Sequence, residues 1–299
     1  MLHASFYVVL GFVVSAVLLG WAYFRNYQLS RPPIGVFTLG DVVIMMGAII
    51  LLPYLYLALP LWLVTGLFAL VVLSVLHFTA EPVLRVRWAV WLVGLALVGA
   101  DIGTNLQFGA TSAPFLAVNN AVLVLAVIGV TNLWAQSGMK ARDVTVLAVA
   151  LAIYDLVATS MLPLMTDLIA HLASVPFAPL MAWGIDGNNG LGIGVGDLLL
   201  ATVFPMVMRK AFGRSAGVTA VATSLGTTAA MMALIALGVV NVALPAMTVL
   251  GPLMAMQYSY WIRRRGKERA MWQYLQAEPA KGRVVDLGQT RQAARVLGE

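Results

Sequence analysis

The chain has 299 residues, of which 61% are hydrophobic and only 10% charged, with a formal net charge of +6. Those proportions exclude a soluble globular domain and describe a polytopic membrane protein. The absence of cysteine excludes structural disulfides, metal–thiolate sites and a cysteine nucleophile.

The positive charge is distributed as a topology signal. Nine of the eighteen basic residues lie from Arg263 onward, and the other nine lie in four short connections. Nucleic acid is therefore not an expected partner; the lipid bilayer and its headgroups are. His3 is terminal, His77 ends a predicted span and His171 falls in a loop, so no metal cluster is indicated and no cofactor is expected.

Apolar runs of about 20 residues, the length that crosses hydrocarbon about 30 Å thick, predict an all-α membrane protein with nine transmembrane helices. They fall roughly at 4–24, 38–59, 60–79, 87–108, 114–135, 143–165, 190–209, 216–240 and 242–262. The membrane domain is thus 1–262, with spans one to six over about 4–165 and spans seven to nine over about 190–262. Residues 263–299 form a basic cytoplasmic tail, with a helical stretch near Ala270 to Gln276. The first run lacks a basic leader and reads as a retained anchor. Arg25 and Arg31, Arg85 and Arg87, Lys140 and Arg142, and Arg209, Lys210 and Arg214 mark alternate connections as cytoplasmic. The N-terminus is then outside and the C-terminus cytoplasmic, which requires an odd number of spans.

Two acids break the apolar pattern. Asp155 lies in span six and Asp197 in span seven, where an ionised side chain costs several kcal/mol, roughly 3 on insertion scales, unless water or a partner meets it. Span six runs outward and span seven back inward, so at 1.5 Å per residue both acids sit about 10–15 Å below the outer surface. They can face one another. Thr159 lies one turn beyond Asp155.

Asp197 ends Gly190-Leu191-Gly192-Ile193-Gly194-Val195-Gly196-Asp197. Glycine at every second position does not match the every-fourth spacing of helix crossings, and it disfavours a firm helix by about 1 kcal/mol per glycine. Two readings follow: a bare approach that delivers an extended segment to the acid, or a glycine hinge or tight crossing. The connection from Thr166 to Asn189 contains an apolar piece, Ser174 to Ile185, bounded by Pro176, Pro179 and a turn-like Asp186-Gly187-Asn188-Asn189-Gly190. It reads as a mobile gate, a strand-forming segment or an ordinary interfacial loop.

Two carboxylates at hydrogen-bonding distance share a proton. One can then act as general base on a water while the other, protonated, polarises a scissile carbonyl. This is peptide hydrolysis without metal, cofactor or covalent intermediate.

Tyr154-Asp155 in span six and Gly194-Val195-Gly196-Asp197 in span seven resemble the YD and GxGD motifs of the presenilin and signal peptide peptidase family of intramembrane aspartyl proteases. Leu244-Pro245-Ala246-Met247, opening span nine, is similar to that family's PAL motif, with Met247 where the family has Leu. Val203-Phe204-Pro205 also matches, and the resemblance covers about Lys140 to Trp261. It implies a presenilin-like fold with Asp155 and Asp197 as the catalytic pair. Tyr154, Gly194 and Gly196 would flank that pair, and Pro245, Ala246 and Met247 would shape the site and receive substrate. The orientation resembles signal peptide peptidase. Substrates would be type II transmembrane proteins or remnant signal peptides, and no obligatory partner subunits are expected. The absence of glycosylation sequons and of an endoplasmic-reticulum retention signal points to a prokaryotic plasma membrane.

Three rivals stand beside this reading. A proton- or cation-coupled transporter could use the same Asp pair, although no corresponding broken spans recur in two halves of the chain. Prepilin peptidase also carries GxGD, but Leu198-Leu199-Leu200 lacks the Lys expected after it. A catalytically silent chaperone of membrane helices would keep the fold alone. Among other polar residues, Asp101 with Asn105 and Asn119 with Asn120 read as interhelical hydrogen-bonding groups. Asp41, Asp167 and Asp186 read as solvated, and Met231, Met232, Met254 and Met256 as packing. Trp21, Trp62, Trp134 and Trp261 lie near span ends, as interfacial anchors do.

Overall fold

A computed structural model describes residues 3–29, 37–84, 86–160, 164–172, 174–185, 190–239 and 246–278. Within them the helices are α1 (Ala4–Asn26), α2 (Leu39–Ala58), α3 (Leu61–Leu84), α4 (Arg87–Phe108), α5 (Ala113–Gln136), α6 (Ala141–Ser160) and α7 (Leu164–Leu172). After α7 come two strands, β1 (Leu180–Trp183) and β2 (Leu191–Gly194), then α8 (Val195–Phe212), α9 (Arg214–Ala236), α10 (Met247–Arg265) and α11 (Met271–Ala277). The chain is a predominantly helical multi-pass membrane protein. Helices α1 to α5 and α9 are long and apolar enough to cross a membrane. Helices α6, α8 and α10 reach 18 to 20 residues but carry more charge: Arg142, Asp143 and Asp155 in α6, Asp197, Arg209 and Lys210 in α8, and Arg263 to Arg265 in α10.

Helix ends fall where the chain supplies partners for the unpaired terminal groups. At the start of α2 the Asp41 carboxylate accepts from the Thr38 N–H at 2.6 Å and from its hydroxyl at 2.8 Å. The start of α5 combines Ser112, whose hydroxyl accepts from the Phe115 N–H, with Pro114 in the first turn. Between α8 and α9 the chain turns at Gly213, where φ is +95°.

Helix α5 is the central pillar, packed by α1, α3, α4, α8 and β1. One buried cluster joins α6, α8 and α10 through Leu147, Ala148, Leu200, Phe204, Met247 and Leu250. A second lies where α1 and α5 meet the strands, around Val9, Val127, Met181 and Ile193. Because lipid is as apolar as these side chains, close contact rather than escape from water holds such helices together. The α6–α10 pair shows how close: a Cβ on Gly251 would lie 2.7 Å from the Ala148 carbonyl oxygen and 2.9 Å from the Ala152 Cβ.

The predicted limits of span four agree with α4 residue for residue, and the tail helix near Ala270 to Gln276 is α11. Span seven does not begin at 190. Residues Leu191–Gly194 are strand and the helix starts at Val195, because alternate glycines give period two and only the run after Gly194 supports period 3.6. The connection after α6 is not all loop: it holds α7 and β1, so His171 is helical, and His77 lies well inside α3 rather than ending a span. Met232 and Met254 are buried, whereas Met256 is 60% exposed and faces away from the bundle.

Candidate active site

The strands organise the site. They pair antiparallel, Met181 opposite Ile193 and Ala182 opposite Gly192. Antiparallel pairing alternates residues that bond each other with residues whose backbone groups point outward. Asn120 of α5 settles which are which: its Nδ2 donates to the Ala182 carbonyl at 2.9 Å, and the Ala182 N–H donates to its Oδ1 at 3.2 Å. Ala182 therefore turns away from β2, and its opposite number Gly192 turns away from β1. The Val195 N–H, donating to the Pro179 carbonyl at 3.0 Å, continues the same alternation. The free edge of β2 thus presents the N–H and C=O groups of Gly192 and Gly194. The inner face, with Met181, Leu191 and Ile193, is buried, while Gly192 is exposed.

This edge leads directly into Asp197. Gly194 caps α8 with extended φ −64° and ψ 138°, and Asp197 occupies the first turn of the helix. Its carboxylate folds back towards the strand, so that a Cβ on Gly194 would lie 3.5 Å from Oδ2. Gly196 is exposed, with no neighbouring atom within 4 Å of where its Cβ would stand.

Tyr154 and Asp155 lie on α6, which packs against α8. Asp155 is half-buried and within electrostatic reach of Asp197. The Tyr154 hydroxyl is buried and has no hydrogen-bond partner among the described residues. Ala246 caps α10, and Met247 is buried with α6 residues Leu147, Ala148 and Ala152. The fold therefore gathers α6, α8 and the start of α10 into one region. Leu244 and Pro245 lie outside the described residues, as do the turn 186–189 and the side chain of Thr159.

Two polar residues read as interhelical bonds from sequence have a different task. Asn120 and Asp101 do not bridge helices; both hold the segment before β2. Asp101 is fully buried, and its Oδ2 accepts from the Phe177 N–H at 3.0 Å. Phe177 has φ +60°, a conformation that costs a non-glycine residue on the order of 1–3 kcal/mol. The bond to a carboxylate and the burial of its ring offset that cost. Asn105 adds a longer bond to the Ser174 carbonyl, at 3.4 Å. The signal available in sequence was a pair of uncompensated polar residues at adjacent ends of spans four and five; their partner, a loop backbone, has no sequence signature. No family model matches this chain, and no curated protein matches it.

Proposed function

We propose that the chain is an intramembrane aspartic endopeptidase of the presenilin and signal peptide peptidase kind, with Asp155 and Asp197 as its catalytic pair. The observation that carries the proposal is the free edge of β2 ending at Asp197. A transmembrane helix hides every peptide bond in its own hydrogen bonds, and cleavage needs it unwound. The Gly192 and Gly194 backbone groups offer an unwound segment replacement partners, as strand addition does elsewhere. They deliver it beside the carboxylate.

In the proposed chemistry one carboxylate takes a proton from water as the water oxygen attacks the scissile carbonyl carbon. The other carboxyl donates a hydrogen bond to the carbonyl oxygen. The tetrahedral intermediate collapses when the leaving nitrogen receives a proton and the C–N bond breaks, so both products leave neutral and the acid pair returns to sharing one proton. Ala246 and the buried Met247 anchor the start of α10 in the cluster it shares with α6 and α8, with Pro245 preceding them in the chain.

The finer architecture belongs to the same proposal: nine spans from α1 to α6 and α8 to α10, N-terminus outside, tail in the cytoplasm of a prokaryote. Substrates are type II membrane segments or remnant signal peptides, cleaved without partner subunits. The test is incubation of purified protein with such a substrate in liposomes, with mass spectrometry of the released peptides. Wild type is expected to release fragments cut within the membrane segment, and Asp155→Ala and Asp197→Ala none. Equal cleavage by either variant overturns the assignment.

A further inference from the structure

The segment after α10 is tied to both helices that carry the acids. Helix α10 ends at Gly266, where φ is +76°. Two residues later the Glu268 carboxylate accepts from the Ala141 and Arg142 N–H groups, each at 3.0 Å, and so caps the start of α6 with a negative charge. Its neighbour Arg269 faces the other way. Its guanidinium donates to the Lys210 carbonyl at 3.1 Å and to the Arg209 carbonyl at 2.9 Å, and its own N–H donates to the Ala211 carbonyl at 3.2 Å, closing the end of α8. One dipeptide thereby joins the first residues of α6 to the last residues of α8, while α10 is joined to it through the chain.

The strap is itself anchored. Tyr274 of α11 is buried and stacks on Phe24 of α1, with ring centroids 5.3 Å apart. Glu278 pairs with Arg209, whose guanidinium lies over the Trp21 ring. The free positive ends of α6 and negative ends of α8 therefore meet fixed partners instead of water.

The leverage is symmetrical. Asp155 lies 14 residues beyond Ala141 and Asp197 lies 13 before Lys210, so at 1.5 Å per residue each acid is about 20 Å from the strap. A tilt of roughly 3° at the strap moves a carboxylate about 1 Å, and a displacement of that size is enough to cost on the order of a hundredfold in rate. We propose that Glu268 and Arg269 are positioning residues that set the separation of Asp155 and Asp197 from the far end of the bundle. The consequence for rate rests on the proteolytic reading above; the consequence for separation does not.

The experiment uses the full chain, which contains no cysteine. Cysteines placed as Asp155→Cys and Asp197→Cys can be joined by a short bifunctional thiol reagent, and the yield reports their separation without any activity. The double variant Glu268→Ala/Arg269→Ala, and the milder Glu268→Gln and Arg269→Lys, are compared in that background and in the native one. We expect the cross-linking yield to fall, and kcat on a type II substrate to fall about tenfold with KM within about twofold. The milder variants should be intermediate, at an unchanged unfolding midpoint. Wild-type cross-linking in the double variant overturns the proposal, and so does a loss of kcat with cross-linking unchanged. If the wild type cleaves nothing while strap variants still lose cross-linking, the positioning role stands and the proteolytic reading fails.

Discussion

Asn120 holds Ala182 by both of its backbone groups, donating to the carbonyl and accepting from the N–H. In effect a side chain of α5 acts as a third strand and fixes which edge of the sheet remains open. Replacing it with leucine removes both bonds and leaves two buried backbone groups unpaired, at about 1–3 kcal/mol each. Asn120→Leu is expected to speed amide hydrogen exchange across 180–194 and to lower cleavage. Protection unchanged from wild type would show that β1 holds its edge without Asn120.

The two glycines of the Asp197 turn separate crowding from access. A Cβ at 194 stands 3.5 Å from the Asp197 carboxylate, so the larger Gly194→Val should displace the acid and lower kcat by about a hundredfold. At 196 a Cβ meets nothing, and alanine favours the first turn of α8 by about 0.5–1 kcal/mol. Gly196→Ala is expected to keep or raise the unfolding midpoint in detergent while reducing cleavage, because only an approaching substrate occupies that space. Full cleavage by Gly196→Ala would place the substrate elsewhere.

Asp101 holds Phe177 in a left-handed conformation. Asp101→Ala removes the acceptor and should destabilise the protein by about 1–3 kcal/mol. Asp101→Asn retains a carbonyl oxygen for the same N–H and should recover most of that loss. Denaturant titration in mixed micelles measures both.

Tyr154 provides a test in which stability and activity move apart. Its buried hydroxyl has no partner among the described residues. Removing an unsatisfied buried donor should leave stability equal or higher by up to about 1 kcal/mol. If that hydroxyl serves the water or the substrate beside Asp155, Tyr154→Phe should lower kcat by about tenfold to a hundredfold, the loss of one hydrogen bond to a charged or developing charge. Cleavage at the wild-type rate would leave Tyr154 with a packing role alone.

Much of the architecture was legible because hydrocarbon imposes a length on every apolar run. Arg87 and Gly109 bracket span four so sharply that its limits agree with α4. The start of span seven differs from the apolar run because an apolar count does not distinguish a strand from a helix. The distinction lies in the glycine period of two, which matches the strand Leu191–Gly194 and not the helix that starts at Val195. The convergence of α6 and α8 was legible from charge asymmetry and residue counts. The strap was not: Glu268 and Arg269 read as two of many charges in a polar tail, and nothing local in sequence says that their partners are the terminal backbone groups of two distant helices.

Strand β2 turns hydrogen atoms rather than side chains outward at Gly192 and Gly194. A surface of that kind has no pockets with which to prefer one residue over another; its only vocabulary is the main chain. For the proposed protease, selection must then act before docking, on how readily a candidate segment gives up its own helix. Two segments of unrelated composition but equal helical frailty would be cut alike, and a robust helix carrying the same residues at its centre would be spared. On that proposal the bare strand would make the protein a gauge of helix strength rather than a reader of sequence.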